Sequence, residues 1–445
     1  MYNVSIIGLG WVGLAYSAFF TSRKVRVIGV DVDERKIGML KRGVMPFYEP
    51  GISELLRSAL RNGLFSPTIS YKEAIRLSDI LFITVGTPSL ADGRIDLKYV
   101  SSAVESLGKC LAEVNEYKLI VVKSTVIPGT TLNLVGRILE KTSGKTLGKH
   151  FGLCFNPEFL KEGTALRDLE KPDRIVIGAY DKKSGEVLRK FYKEVYGDEI
   201  PPVLCTNIVN AELIKYASNA FLAMKISFIN TFANLCEKLP GADVNTVAKG
   251  IGLDSRINPR FLRAGVGFGG SCFRKDLMAI INLCKDKGVD SSLLESVIKI
   301  NDLQRRHVIE IIEKEFSNLK NVTVAILGLS FKPNTDDLRD APSIDIVREL
   351  LDRRAIVKVY DPVAMEKFKK IFGEKVKYCS SMLDCIKGAD CAVIVTEWSE
   401  FKNLTPDDFL KNMRRPIVVD GRRIYDPELF SKKLKYYGIG WGGSI

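Results

Sequence analysis

The feature that most constrains this chain is a glycine pattern, Gly8-Leu9-Gly10-Trp11-Val12-Gly13, set directly behind a short apolar run, Val4 to Ile7. A run of that length bounded by a turn reads as a buried strand. A strand that ends in G-x-G-x-x-G and opens a helix is the first turn of a dinucleotide-binding βαβ unit. The first glycine allows the tight turn, the second lets the backbone approach a pyrophosphate, and the third allows close helix–strand packing. The N–H groups of the helix start then face the phosphates, so Gly8, Gly10, Trp11, Val12 and Gly13 are expected cofactor contacts. A second apolar run, Val25 to Val30, ends on Asp31. A carboxylate there accepts hydrogen bonds from ribose hydroxyls and repels a 2′-phosphate, which favours NAD over NADP. Arg35 and Lys36 nearby work against that discrimination, and a glycine turn used only for packing is the plainer alternative.

Further apolar runs at Ile80 to Val85 and Leu119 to Val122 alternate with amphipathic stretches such as Leu97 to Val114, for which Asp96 is the expected N-cap. Such alternation marks a parallel α/β sheet. From Val209 to Leu239 the pattern is one long helix, too apolar for a surface element and ended by Pro240-Gly241. Helical stretches continue to about residue 316, interrupted by Gly265 to Gly270. Strand–helix alternation restarts at Val322 to Leu327, turns at Gly328, and continues through Ile356 to Tyr360, Cys391 to Val395 and Ile417 to Val419. The expected fold is α/β, with two Rossmann-like doubly wound domains joined by a long central helix and a helical domain. The expected boundaries are 1–206, 207–316 and 317–445.

The net charge of +13 raises nucleic acid as a partner. The basic residues are scattered, however, with only small clusters such as Arg353-Arg354 and Lys432-Lys433, and no aromatic residues are interleaved. Anionic small substrates suit the charge better, and no nucleic-acid partner is expected. The stretch from Met1 to Gly8 has no basic lead ahead of its apolar run, and the most apolar helix carries Lys225. No membrane partner is expected, and the location is read as cytoplasmic. Nine cysteines with no Cys-x-x-Cys pair argue against a disulfide framework or zinc ribbon. Only two histidines are present, so no metal site is expected. Gln304 is the sole glutamine, a hint of a hot source.

The stretch Gly265-Val266-Gly267-Phe268-Gly269-Gly270-Ser271-Cys272-Phe273-Arg274-Lys275-Asp276 carries the chemistry. Leu277, Ile280, Ile281 and Cys284 follow at helical spacing, which puts Cys272 at a helix start beside two cations. The helix dipole and those cations favour thiolate over thiol. The other eight cysteines read as small buried hydrophobes. A thiolate with a nicotinamide can take an aldehyde through a thiohemiacetal to a thioester, which water releases as an acid. An alcohol enters that route through an earlier hydride transfer, at a cost of two NAD. On the long helix, Lys215 and Asn219 share a face, with Asn230 roughly in line. Pattern alone leaves this stripe open between solvent and a pocket, where a lysine could stabilise an oxyanion. Glu158 and Glu162 follow the strand Phe151 to Phe155 and offer a base or sugar-hydroxyl acceptors.

Together these stretches resemble the UDP-glucose/GDP-mannose dehydrogenase family along essentially the whole chain. The likeness extends to Val85-Gly86-Thr87-Pro88, Ser124-Thr125-Val126-Ile127-Pro128-Gly129-Thr130, Asn156 to Gly163, Glu212 to Ala223, Phe331 to Arg339 and Asp420-Gly421-Arg422-Arg423. The resemblance implies that Cys272 is the nucleophile and that Lys215 and Asn219 stabilise an oxyanion. It implies that Asp276 orients water and supports Lys215, that Thr125 holds a water, and that Glu158 is an acid/base partner. Implied NAD contacts are Asp31, Lys36, Thr87, Thr125, Glu162, Lys275 and Arg339. Implied substrate contacts are Glu158, Phe159, Leu160, Lys161, Lys215, Asn219, Phe261, Leu262, Arg263, Ala264, Gly265, Gly269, Phe273, Lys332 and Arg422, with Arg256 given across a dimer interface. The first domain would then bind NAD, the central one would carry the cysteine loop and dimerise, and the last would bind the UDP-sugar. Ile127 stands where the family often has a second proline. The wording Gly-Phe-Gly-Gly-Ser-Cys-Phe resembles the UDP-glucose branch, so UDP-glucose is the implied substrate, oxidised to UDP-glucuronate with two NAD by a homodimer or larger homo-oligomer. GDP-mannose, a UDP-N-acetylhexosamine, or silent binding of a nucleotide sugar are the alternatives.

Overall fold

The computed structural model describes residues 2–443. They form two compact units. The first is the chain up to Ser218 with Met278–Leu283, and the second is Asn219–Leu277 with the chain from Cys284 onward.

The first unit holds β1 (Val4–Ile7), β2 (Val27–Val30), β3 (Phe65–Thr68), β4 (Ile80–Ile83), β5 (Lys118–Val122), β6 (Phe151–Phe155), β7 (Ile175–Ala179) and β8 (Val203–Asn207). They make one sheet in the order β3-β2-β1-β4-β5-β6-β7-β8. Every pair is parallel except β6 with β7. The central strands are buried throughout because helices cover both faces, the usual situation of a parallel sheet. Phe19, Phe20, Phe82 and Phe191 pack in one layer, and Val100, Val104, Leu107 and Leu139 in the other. The strand order reverses at β1 and β4, which opens a crevice at their carboxyl ends. The helix Lys98–Leu111 has Leu97, not Asp96, at its N-cap. Asp96 still serves the helix start, accepting from Lys98 N at 2.9 Å.

The second unit holds β9 (Thr323–Leu327), β10 (Ile356–Tyr360), β11 (Lys377–Tyr378), β12 (Cys391–Ile394), β13 (Ile417–Asp420) and β14 (Lys435–Gly438). Their order, β11-β10-β9-β12-β13-β14, is all parallel and repeats the doubly wound plan of the first sheet. The repeat reaches individual residues. Gly328 follows β9 with φ +94°, as Gly8 follows β1 with φ +100°. Asp361 follows β10 and accepts from Leu329 N at 2.7 Å, as Asp31 follows β2 and accepts from Leu9 N at 2.9 Å. Ser330 and Pro333 stand where the first unit has Gly10 and Gly13. The Asp361 carboxylate also takes Ser330 N and Oγ, Val363 N, Ala364 N and the Trp398 indole.

The long helix runs Ile208–Cys236, and the boundary between the units cuts it after Ser218. Lys225 leaves the apolar surroundings to donate to the Ile257 and Asn258 carbonyls, both at 2.9 Å. The expectation that this helix is too apolar for a surface is corrected in part. Phe221, Phe228, Phe232 and Leu235 are 37–56% exposed, and the rings of Phe228 and Phe232 lie 4.9 Å apart. Among the described residues no helix is long and apolar enough to cross a membrane.

Candidate active site

In the first unit the glycine turn joins β1 to the helix Trp11–Ser22. A Cβ on Gly8 would lie 2.8 Å from Val85 N, and one on Gly13 would lie 2.0 Å from Gly8 O. A Cβ on Gly10 would meet nothing within 4 Å, so space is open over the helix start. No side chain among the described residues caps that helix, which leaves its first N–H groups for an anion. Asp31 is buried and accepts from Leu9 N, from Asp33 N at 3.0 Å and from Lys36 Nζ at 2.7 Å. Lys36 therefore neutralises Asp31 as well as flanking it. These residues fit a dinucleotide with an unphosphorylated ribose.

Thr87 and Thr125 follow β4 and β5 and are half-buried. Their segments are tied together by Ser124 Oγ, which donates to Val85 O at 2.7 Å. The turn after Thr125 is pinned from the long helix by Glu212, which accepts from Gly129 N at 2.6 Å and Thr131 N at 2.9 Å. Behind β6, Glu158 and Lys215 form a buried ion pair, Nζ to Oε1 at 2.9 Å, and the same ammonium donates to the Glu158 carbonyl at 2.6 Å. Leu160 N donates to the other carboxylate oxygen at 2.7 Å. Burial pushes the Glu158 carboxyl up, but the Lys215 charge and hydrogen bonds outweigh it and hold it below the ordinary range. Glu158 is thus ionised at neutral pH. Phe159 lies under the Arg174 guanidinium at 4.0 Å, Leu160 packs on the core, and Lys161 is exposed and paired with Asp168 at 2.9 Å. Glu162 is half-buried in the same loop.

In the second unit Cys272 stands just before the helix Phe273–Asp286, and its carbonyl accepts from Asp276 N at 2.8 Å. The thiol is exposed, with Ser271 Oγ 3.5 Å from the sulfur. Asp276, one turn on, is buried between Asn219 Nδ2 at 2.6 Å and Lys275 Nζ at 2.7 Å. The loop ahead of Cys272 is clamped along its length. Asn230 accepts from Gly265 N at 2.9 Å, so the third polar residue of the helix stripe anchors backbone and meets no solvent. Asn301 makes both hydrogen bonds to the Phe268 backbone, at 2.7 and 3.1 Å. Arg305 donates to Phe268 O at 2.8 Å and to Asp340 and Asp345. A Cβ on Gly267 would come within 2.7 Å of Asn301 Oδ1, so the close approach requires glycine there.

The remaining expected contacts are scattered through the second unit. Phe261 (φ +67°) and Phe268 lie 6.2 and 5.6 Å from the Phe273 ring. Leu262 and Ala264 are buried and Arg263 is exposed. Gly269 abuts Asp340 O. Arg422 donates to Val395 O at 2.7 Å and Gly267 O at 3.3 Å. Lys332 stands 5.3 Å from the Phe331 ring centre, and Arg339 pairs with Asp337 at 2.7 Å. Arg256 is exposed and forks onto Asp254 at 2.6 Å.

Five buried polar residues hold positions to which the sequence alone assigns no role: Glu49, Lys123, Glu212, Asn301 and Arg305. Lys123 donates to Asn156 Oδ1 at 2.7 Å under the Glu158 loop, and burial brings its amine down to about 7. Asn301, Gln304 and Arg305 interrupt the apolar face of the helix Ser292–Glu315, a detectable signal. Glu49 and Lys123 carry no periodic signal. The reading of the other cysteines as buried is corrected for Cys205, which is exposed in edge strand β8, and in part for Cys110 and Cys284, which are half-buried.

Comparison with known proteins places the chain in a family. Three domain models of the UDP-glucose/GDP-mannose dehydrogenase family match: the NAD binding domain over residues 2–196, the central domain over 209–303 and the UDP binding domain over 325–427. UDP-glucose 6-dehydrogenase TuaD of Bacillus subtilis is 41% identical over 99% of this chain and 93% of its own length. UDP-glucose 6-dehydrogenase AglM of Haloferax volcanii is 43% identical over 95% and 97%. Among solved structures, a UDP-glucose dehydrogenase from the hyperthermophilic archaeon Pyrobaculum islandicum superposes with a TM-score of 0.91 at 39% identity, covering 99% of this chain and 98% of that one. A UDP-D-ManNAc dehydrogenase from Pyrococcus horikoshii gives 0.86 at 26% identity, covering 99% of each chain. The chain belongs to the UDP-glucose/GDP-mannose dehydrogenase family.

Proposed function

We propose that this protein oxidises the primary alcohol of UDP-glucose to the carboxylate of UDP-glucuronate, using Cys272 as covalent nucleophile. The observation that carries the reading is the exposed Cys272 thiol at a helix start, one turn from a buried Asp276 held by Asn219 and Lys275. Relatives at about 40% identity named UDP-glucose 6-dehydrogenase support the substrate, as does the higher identity to the UDP-glucose than to the UDP-D-ManNAc enzyme structure.

NAD, when bound at the Gly8–Gly13 turn, supplies the hydride acceptor for both oxidation steps. In the first, the alcohol loses a proton and a hydride and becomes an aldehyde. The Cys272 sulfur then adds to that carbonyl, and the proton of the thiol ends on the oxygen of the thiohemiacetal. Loss of a second hydride and of the hydroxyl proton gives a thioester. Water attacks the thioester carbon, the C–S bond breaks, and the acid leaves with the thiol restored. The balance is one alcohol, two NAD+ and one water to one carboxylate, two NADH and three protons.

Lys215 and Asn219 act on the oxygen that carries developing negative charge, each held by a carboxylate, Glu158 and Asp276. Glu158, ionised, accepts a proton from the alcohol directly or through a water held by Thr125. Asp276 orients the hydrolytic water. Phe159, Leu160, Lys161, Arg422, Lys332 and the 261–265 turn contact the sugar nucleotide. A second copy of the chain covers Phe221, Phe228, Phe232 and Leu235, and Arg256 reaches across that interface.

Absorbance of NADH tests the reading. Two NADH per UDP-glucose are expected, with no comparable rate on GDP-mannose or UDP-N-acetylhexosamines and no steady turnover by Cys272→Ala. One NADH per sugar with free aldehyde released refutes the thioester route.

A further inference from the structure

Glu49 belongs to no part of the mechanism above, yet it is 3% exposed and both its oxygens are used. Oε2 accepts from the Trp11 indole at 2.9 Å and from Gly163 N at 2.7 Å. Oε1 accepts from Ala165 N at 2.9 Å. Trp11 is the first residue of the helix whose N–H groups await the pyrophosphate. Gly163 and Ala165 close the loop that begins at Glu158. A single planar carboxylate therefore joins the start of the cofactor helix to the end of the sugar-facing loop, 114 residues apart from the latter in sequence.

Two further contacts make this joint stiff. Gly51, at φ +79°, begins the helix Ile52–Arg61, and a Cβ there would stand 2.7 Å from Leu166 Cδ1, so the Glu49 turn is packed on the chain just past the loop. Asp168 holds the same loop from its other side, accepting from Lys161 N at 2.9 Å and Thr164 Oγ1 at 3.2 Å. A carboxylate that three donors share cannot follow one of them without straining its bonds to the others.

We infer that Glu49 is a positioning residue that couples occupancy of the dinucleotide turn to the set of the 158–165 loop, so that bound NAD pre-organises the loop for the sugar nucleotide. This rests on the proposed function for the identity of the second ligand. The coupling runs through the Trp11 indole: the ligand fixes the first helical turn, the indole fixes the carboxylate, and the carboxylate fixes the Gly163 and Ala165 amides. Binding energy of the first ligand thereby covers ordering that the second would otherwise have to supply.

The test uses the full chain with NADH as probe and hydrogen exchange as readout. In the wild-type chain, saturating NADH should slow exchange in the peptide spanning residues 158–170. Trp11→Phe deletes the indole N–H together with part of the ring but keeps the backbone N–H at the helix start; at NADH concentrations shown to saturate the variant, that slowing should disappear. Glu49→Gln places an amide against one or more N–H donors and should lose the slowing too, and the double variant should be no worse than Glu49→Gln alone. Leu139→Ala, a buried change in the other layer of the core, which Trp11 does not join, should lower the melting temperature and keep the slowing. With UDP-glucose present, the ratio of its Kd without and with NADH should fall toward one in Trp11→Phe and Glu49→Gln, by about tenfold where one charge-assisted bond is lost. The inference is overturned if NADH leaves residues 158–170 unchanged in the wild type, or if Trp11→Phe keeps the full slowing. It is also overturned if Leu139→Ala abolishes the slowing as Glu49→Gln does. Failure of the wild type to bind UDP-glucose sinks the functional reading alone, since the exchange experiment needs only NADH.

Discussion

Replacing Lys215 by methionine removes the cationic half of the buried pair with Glu158. Methionine keeps most of the stem and deletes the charge and two hydrogen bonds, one to the Glu158 carboxylate at 2.9 Å and one to its carbonyl at 2.6 Å. Both partners are buried, so water cannot replace what is lost. Removing one member of such a pair costs about 3–5 kcal/mol because a charge is left uncompensated. For a unit of this size that is a drop on the order of 10 °C in melting temperature. The pH dependence has a definite sign. In the wild type Glu158 is held below its unfolded value, so its contribution is present above the ordinary glutamate range and is lost as pH falls through the folded value. In Lys215→Met burial, the largest influence, is opposed by the Leu160 N–H and the Lys123 charge without the stronger Lys215 contribution, and the carboxyl rises. The penalty is then full at neutral pH and relieved as pH falls through the raised value, when Glu158 protonates. The gap between wild type and variant, followed by scanning calorimetry from pH 8 to 5, should therefore narrow on acidification. Lys215→Met/Glu158→Gln should recover part of the loss at pH 7 while remaining inactive, since kcat should fall by about 10²–10³ with the ammonium gone. A gap that is constant across this range, or a double variant as unstable as the sum of the singles, refutes the argument.

Iodoacetamide, followed by peptide mass mapping, should label Cys272 and Cys205 ahead of the buried cysteines. In a Cys205→Ser background Cys272 alone should react fast, with activity lost in step. Asn301→Ala orphans the Phe268 N–H and leaves the Phe268 carbonyl to Arg305 alone, which should cost about 1–3 kcal/mol and lower kcat with little change in NADH affinity; unchanged turnover refutes the clamp. Phe228→Glu/Phe232→Glu puts charge in the exposed apolar stripe and should shift the sedimenting species toward a single chain. An unchanged sedimentation coefficient moves the interface elsewhere.

Much of the first unit could be read from the sequence because its signals are local. The turn Gly8 to Gly13 and Asp31 are each announced by a strand end, and the helix start at Cys272 by glycines ahead and apolar spacing behind. The second sheet was legible as strand–helix alternation for the same reason. Residues that hold the site by tertiary contact were not legible. Glu49 sits in a turn before Pro50-Gly51, with no period to mark it, and its three donors come from residues 11, 163 and 165. Lys123 lies at the end of a buried strand, where an isolated lysine looks like a strand boundary. Cys205 departs from the buried reading because β8 lies at the sheet edge, where it has no neighbour on one side. The long helix misled in the other direction: a sequence apolar all round implies burial, yet one chain by itself leaves part of it bare.

The second sheet domain keeps a dinucleotide architecture and forecloses its usual guest. At Asp31 the carboxylate meets three donors from its own chain, one of them a lysine ammonium. At Asp361 six donors, including an indole, already occupy the equivalent group. Ser330 adds a side chain over the backbone that Gly10 leaves bare, and Pro333 has no N–H to offer. Two near-copies of one βαβ plan thus divide their labour by self-satisfaction: the copy with spare acceptors can host a ribose, and the saturated copy is free to present its surface to something else. Titration with NADH should accordingly stop at one molecule per chain.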